Sequence, residues 1–379
     1  PLLTLWALPI LPRHVLVNQS LDAVNLRSLT VGAGPFVLEQ IAETGDWKLG
    51  ANQYYHRGEP LFDGIHLRMN QTPTSLAALS TSDQLFVIDT SHAVSGSGLL
   101  QSQYPLNSII AVAFNMRAGR ALSVLPLRHE LIRLAELDGH FVQSNPQYRA
   151  VRQVALPDSW LEVPELNAPD LALDEQLSQQ GWQYDAISLQ LERNDEPLRL
   201  TMVVQADNQE HLALAQFLVT KWQNVGIDIA LEVVSRQRYL ERLTVPYDYD
   251  VAVVEWAHGR SSASYADTLL YDATAYWLFA SEELNMGMPD ARGSLNIVGM
   301  NDEGYDMLYK STLATYDVVG RLNAERSASI RLKDVAPYYF VARDQRTVIR
   351  SPRLAAIQEL PTFATPWYLS TINTWYQLP

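Results

Sequence analysis

The sequence contains no cysteine. That absence excludes disulfides, thiolate zinc sites and a cysteine nucleophile together. Basic residues are scarce: 28 Lys and Arg stand against 42 Asp and Glu, a formal charge of −14. Phosphate binding needs a basic face, so a nucleic-acid partner is disfavoured, as is an anionic membrane surface. No apolar run approaches the roughly 20 residues of a membrane-spanning helix. The opening PLLTLWALPILP is apolar but broken by Pro1, Pro9 and Pro12. It lacks a basic n-region and a small-residue cleavage site, so it does not read as a signal peptide. It reads as an extended segment that begins in mid-fold.

Motifs of chemistry are missing too. His129-Glu130 has no second His four positions from the first, and neither G-x-S-x-G nor G-x-x-x-x-G-K-[ST] occurs. GSGLL at 96–100 is glycine-rich, but no Lys follows, and it reads as a turn. The carboxylate pairs Asp248/Asp250 and Glu282/Glu283 can be cast as an acid and a base. Nothing in the sequence around them supplies a raised-pKa environment. A hydrolase is therefore the least favoured reading, no catalytic residue is assigned, and no cofactor or metal is implied.

What is present is core-forming material. Hydrophobic residues make up 47% of 379 and charged residues 18%, enough for two domains at roughly 100–200 residues each. Nine Trp and 18 Tyr are many, and Tyr54, Tyr55, Trp256, Tyr265, Tyr276 and Trp277 stand near turn residues. Polar-tipped aromatics in such places often line ligand clefts.

The pattern along the chain predicts strands over FVLEQIA, its return at 46–49 and FDGIHLRM, with a turn-rich ANQYYHRGEP between the second and third. Helices are predicted over 74–81 and 121–137, followed by a long proline-bearing connection over 142–170. Leu171 to Gln180 predicts a short helix closed by Gly181, and Gln209 to Val225 an amphipathic one ended by Gly226. LRLTMVVQA, IDIALEVV and YDVAVVEWA read as strands, with SRQRYLERL as a helix between the last two. Strand–helix–strand–helix–strand over 198–257 is an α/β signature, and VAVV suits a strand covered on both faces. Residues 302–333 predict two helices, and YYFVARDQRTVI a late strand pair.

Several segments, in order, resemble the extracellular solute-binding protein family 5, the peptide- and nickel-binding receptors of ABC importers. LPILPRHVL is similar to the family's Pro–Ile–x–Pro–Lys–His segment, with Arg13 in place of Lys. GAGPFVLEQ and ANQYYHRGEPLFDGIHLR resemble its Gly–Thr–Gly–Pro–Tyr turn and Asn–Pro–x–Tyr–Trp loop, with Gln53 and Tyr55 as departures. PDSWLEVPEL, LDEQLSQQGW, VGIDIALEVV, YDYDVAVVEW, NIVGMNDEGYDMLYKSTLA and LKDVAPYYFVARDQRTVIRSPRLAAI follow in family order. LSVLPLRHELIRLAELD matches the family's long helix poorly.

The resemblance implies an α/β, two-lobed periplasmic-binding-protein-like fold (type II, large peptide-receptor class). Lobe I is expected at 1–112 plus 338–379 and lobe II at 113–337. It also implies a longer protein, because family members carry an export signal and first-lobe strands ahead of the Pro–Ile–x–Pro–Lys–His segment. The implied function is binding a peptide or other small polar solute and delivering it to ABC permease subunits, outside the cytoplasm. A second reading is the solute-sensing domain of a transcriptional regulator; the upstream sequence separates the two.

Trp256 ends the apolar strand YDVAVVEW, and ligands of α/β sheets sit beyond the carboxyl ends of strands. The resemblance places this Trp beside the ligand. His258, Arg260 and Tyr265 follow it and offer donors, Arg260 being the natural bidentate carboxylate clamp. Gly259 stands where peptide receptors of the family carry an Asp that pairs with the peptide amino terminus, and Arg236 where they often carry an aromatic. Glu255, one residue before the Trp, faces the other way on a strand. A buried ammonium with no carboxylate partner costs several kcal/mol. Free and N-acetylated forms of one peptide are therefore expected to bind within tenfold of each other, about 1.4 kcal/mol, by calorimetry. A tenfold preference for the free form would mean that another carboxylate, such as Asp267, takes the Asp's place.

Overall fold

The computed structural model describes residues 32–43, 45–68, 85–90, 99–106, 108–137, 140–145, 147–152, 173–257, 296–356 and 368–378. The expected helix at 74–81 and most of the GSGLL turn lie outside them. The chain divides into two compact units. One holds 1–106, 261–266 and 345–379; the other holds 107–260 and 267–344.

The first unit opens with an antiparallel meander of β1 (Phe36–Ile41), β2 (Trp47–Ala51) and β3 (Gly64–Leu67). Phe36 faces Ala51 and Trp47 faces Leu67. The predicted turn-rich loop between β2 and β3 is anchored by Asn52, whose side chain donates to the Gly34 carbonyl at 2.8 Å. Its Tyr54 is 93% exposed. Strands β4 (Val87–Thr90) and β5 (Leu100–Pro105) follow.

The second unit starts with β6 (Ser108–Phe114), buried along its whole length. Next come α1 (Leu125–Glu136), β7 (Tyr148–Ala150), α2 (Leu173–Gln179) and a small antiparallel sheet of β8 (Gln183–Tyr184), β9 (Leu191–Arg193) and β10 (Glu196–Pro197). The alternating core is β11 (Arg199–Gln205), α3 (Gln209–Asn224), β12 (Asp228–Val234), α4 (Arg236–Leu243) and β13 (Val251–Ala257). Two helices, α5 (Glu303–Ala314) and α6 (Val318–Val335), lead into β14 (Tyr338–Arg350). The last strands, β15 (Leu354–Ala356) and β16 (Trp375–Gln377), pair with each other in the first unit.

Local chemistry sets these ends. Asn208 caps α3 by accepting from the Glu210 and His211 amides at 3.1 and 3.0 Å, and Asp302 caps α5 through the Tyr305 amide at 2.7 Å. Gly226 ends α3 at φ +86°, where a Cβ would lie 1.7 Å from the Leu189 carbonyl oxygen, so only glycine fits.

In the second unit the strand order is β12-β11-β13-β6-β14, with β7 also on β14. β11 runs parallel to β12 and β13, and β13 runs antiparallel to β6. Alternation splits the core into two. Val251 and Val253 share one cluster with Ile110, Val112, Leu131, Leu214, Leu218 and Trp222. Ala252 and Val254 share the other with Ile109, Tyr239, Leu243, Tyr305 and Leu332. Helices thus cover both faces, as VAVV predicts. Each fully buried aliphatic side chain contributes about 1.5–3 kcal/mol.

Three sequence expectations need correction. The helix expected over 121–137 begins only at Leu125, with Pro in its first turn and a separate 3₁₀ turn over Ala121–Ser123; proline suits the first turn, where its missing N–H costs nothing. The connection expected over 142–170 contains the strand β7, which pairs Arg149 with Arg343. The late strand pair is one continuous strand. YYFVARDQRTVI has no Gly or Pro to turn on, and its polar centre instead lies where its neighbours change. Residues 338–344 pair with β6 and β7, whereas 345–350 have β4 and β5 as neighbours. The lobe limits of 112/113 and 337/338 fall inside β6 and just before β14. β6 pairs with β13 over seven residues, and it lies wholly in the second unit.

Two buried groups yield measurable consequences. Arg128 is buried and donates to the carbonyls of Leu122, Ser123, Val335 and Ala336, joining α1 to the end of α6. Burial lowers its pKa to about 10, so it remains charged at neutral pH. Arg128→Ala strands those carbonyls and is expected to cost about 3 kcal/mol in urea unfolding. His140 accepts from the Val142 amide at 3.2 Å and sets its ring edge-on to Tyr339. Burial, helped by Arg152 and Lys221, lowers its pKa to about 4. Its unfolded counterpart takes a proton near 6.5. Stability is therefore complete above pH 6.5 and falls as pH drops toward 4. In His140→Asn, which keeps an acceptor for Val142, that part of the acid slope should vanish from unfolding midpoints at pH 7.5 and 5.

Candidate functional site

The strands β11, β12 and β13 end together at one edge of the second unit's sheet. Gln205 and Val234 are in register there. β13 pairs with β11 only through Val251 and Ala252, then continues alone beside β6, where Glu255 faces Ile110, Trp256 faces Ile109 and Ala257 faces Ser108. The last residues of β13 thus overhang β11. The helices α3 and α4 begin at this edge, capped by Asn208 and Ser235, so their amide ends lie beside it.

Each expected site residue can be placed against this frame. Trp256 occupies the register position opposite Ile109 in β13. Arg236 is the first residue of α4 and is exposed to solvent. His258, Gly259, Arg260 and Tyr265 lie outside the described residues, as do Asp267 and the pair Glu282/Glu283.

Glu255 faces away from the Trp256 side, as strand alternation requires, and meets α3. Its Oε2 lies 3.4 Å from His211 Nε2, which is buried. His211 lowers the pKa of this carboxyl, against the opposing effect of burial, and the Ser108 hydroxyl adds to the lowering. Sequence reasoning passed over His211 and Ser108. The available signal was a His three residues after the Asn208 cap, on the face of α3 that carries Leu214 and Leu218; a buried imidazole there needs a polar neighbour.

The carboxylates considered for catalysis are otherwise engaged. Asp248 and Asp250 lie 3.3 and 3.5 Å from Arg120, and Asp248 also pairs with Arg242, which reaches Glu232. Asp250 accepts from the Thr201 amide at 2.9 Å, while burial raises its pKa. These pairs tie the start of β13 to β11, β12 and α4. Among the described residues no group of three or more His, Asp or Glu is arranged to hold a metal ion. No helix among them is long and apolar enough to cross a membrane.

The fold is that of the two-lobed periplasmic substrate-binding proteins, the α/β class to which extracellular solute-binding protein family 5 belongs. The solved structures it matches include a putative peptide-binding protein AppA from Clostridium difficile, with a TM-score of 0.74 at 15% identity over 97% of this chain and 72% of that one. The ABC transporter substrate-binding protein CtaP from Listeria monocytogenes matches with a TM-score of 0.70 at 14% identity, over 97% and 72%. NikZ from Campylobacter jejuni, in complex with Ni(L-His), matches with a TM-score of 0.66 at 14% identity over the same shares. No protein-family model and no curated protein sequence matches the chain.

Proposed function

We propose that the chain is the substrate-binding component of an ABC importer. It binds a peptide or other small polar solute in a cleft between two lobes, expected at 1–112 plus 338–379 and at 113–337, and passes it to membrane permease subunits. It works outside the cytoplasm and catalyses no reaction. The observation that carries this reading is the fold, shared over 97% of the chain with substrate-binding proteins of importers. The edge where β11, β12 and β13 end supports it, because ligands of such sheets sit beyond the carboxyl ends of strands. Trp256 stands in that overhang and is assigned to the ligand. Arg236 opens α4 at the same edge, and His258, Gly259, Arg260 and Tyr265 follow the overhang directly in sequence. Arg260 is the proposed clamp for an acidic group of the solute.

Hinge closure around a solute makes such a receptor more compact. Small-angle scattering on the full-length protein should therefore show a smaller radius of gyration with a peptide or saccharide pool. No change with either pool would count against the proposal. Trp256→Phe should remove most of the solute-induced change in intrinsic fluorescence, and an undiminished signal would take Trp256 out of the site.

A further inference from the structure

Beside the β13 overhang, three polar side chains from three elements converge, and the Glu255 carboxylate draws on both of the others. Ser108 comes from the start of β6, His211 from the first turn of α3 and Glu255 from the end of β13. Ser108 is 5% exposed and His211 7%, and neither Ser108 Oγ nor His211 Nε2 has a hydrogen-bond partner. The Glu255 side chain keeps 30% of its surface open. Buried hydroxyls and imidazoles are rarely left in this condition, since each unmet group carries a desolvation cost. The open carboxylate gives a third molecule a way to reach them.

We infer that Ser108, His211 and Glu255 form a subsite for an uncharged hydroxyl group of the bound solute. His211 Nε2 faces a carboxylate oxygen at 3.4 Å, so it carries the proton and presents a donor. Ser108 presents a hydroxyl and Glu255 presents acceptors only. A hydroxyl donates once and accepts twice, so it can donate to Glu255 and accept from His211 and Ser108 at the same time. An ammonium group only donates, and it would meet the His211 N–H. A carboxylate would meet the Glu255 charge. The subsite thus favours a solute that presents a hydroxyl at this point, such as a saccharide or a polyol. This inference rests on the receptor reading, whose binding edge it shares.

The test is calorimetry and scattering on the full-length protein with trehalose, mannitol and trialanine. Trehalose or mannitol should bind, with at least tenfold weaker affinity in Glu255→Gln and a smaller loss in Ser108→Ala. Failure of both polyhydroxy probes to bind, or equal affinity in Glu255→Gln, would overturn the subsite. If trialanine still compacts the protein in that case, the receptor reading stands and the subsite alone falls; if no probe compacts it, both fall. Imidazole resonances of His211 in the unaltered protein give a second readout that does not depend on a variant folding. They should shift on saturation with the bound probe, and unchanged resonances would mean that the cluster holds water alone.

Discussion

The guanidinium of Arg128 sits in the interior with its N–H groups directed at main-chain carbonyls. It is tolerated because a helix ends opposite it. The carbonyls of Val335 and Ala336, at the negative end of α6, take its N–H groups, and those of Leu122 and Ser123 take the rest. The contact fixes α1 to the point where the chain turns into β14. α1 packs on one face of the sheet and α6 on the other, so this charge links both layers to the strand between them.

That layered arrangement is what positions the binding edge. β6 and β13 are held along seven paired residues in a setting buried on both faces. The overhang of β13 is therefore supported from one side by β6 and flanked by the start of α3. Glu255 and position 256 are sent to opposite faces by the pleat alone. Glu255 meets an imidazole and a hydroxyl on its face, whereas Ala252 and Val254 on the other share a cluster with Tyr239 and Tyr305.

Elements with a clear period and a clear terminator were legible in the sequence. α3 has an apolar stripe and Gly226; β13 has an uninterrupted apolar run. The fold class was legible through the order of such segments. β14 was not, because its polar centre mimics a turn, and only its change of neighbours explains why charged residues lie in mid-strand. The meeting of Ser108, His211 and Glu255 was not legible either. Those residues are distant in sequence, and their encounter depends on strand order and on which face of α3 turns inward. The resemblance pointed to Trp256 and the segment after it, and the pleat argument anticipated the direction of Glu255.

Among the described residues β12 is the outermost strand of its sheet, with a consequence for how the unit behaves among its own copies. An edge strand offers unpaired amides and carbonyls to any other extended chain. β12 reads DIALEVV, with Asp228 held by Arg199 and Glu232 by Arg242. An incoming strand would have to approach past these charges and displace their arginines. Acidic residues spaced along an otherwise apolar strand act as gatekeepers against edge-to-edge aggregation. The ion pairs that anchor the strand's charges thereby also protect its open side.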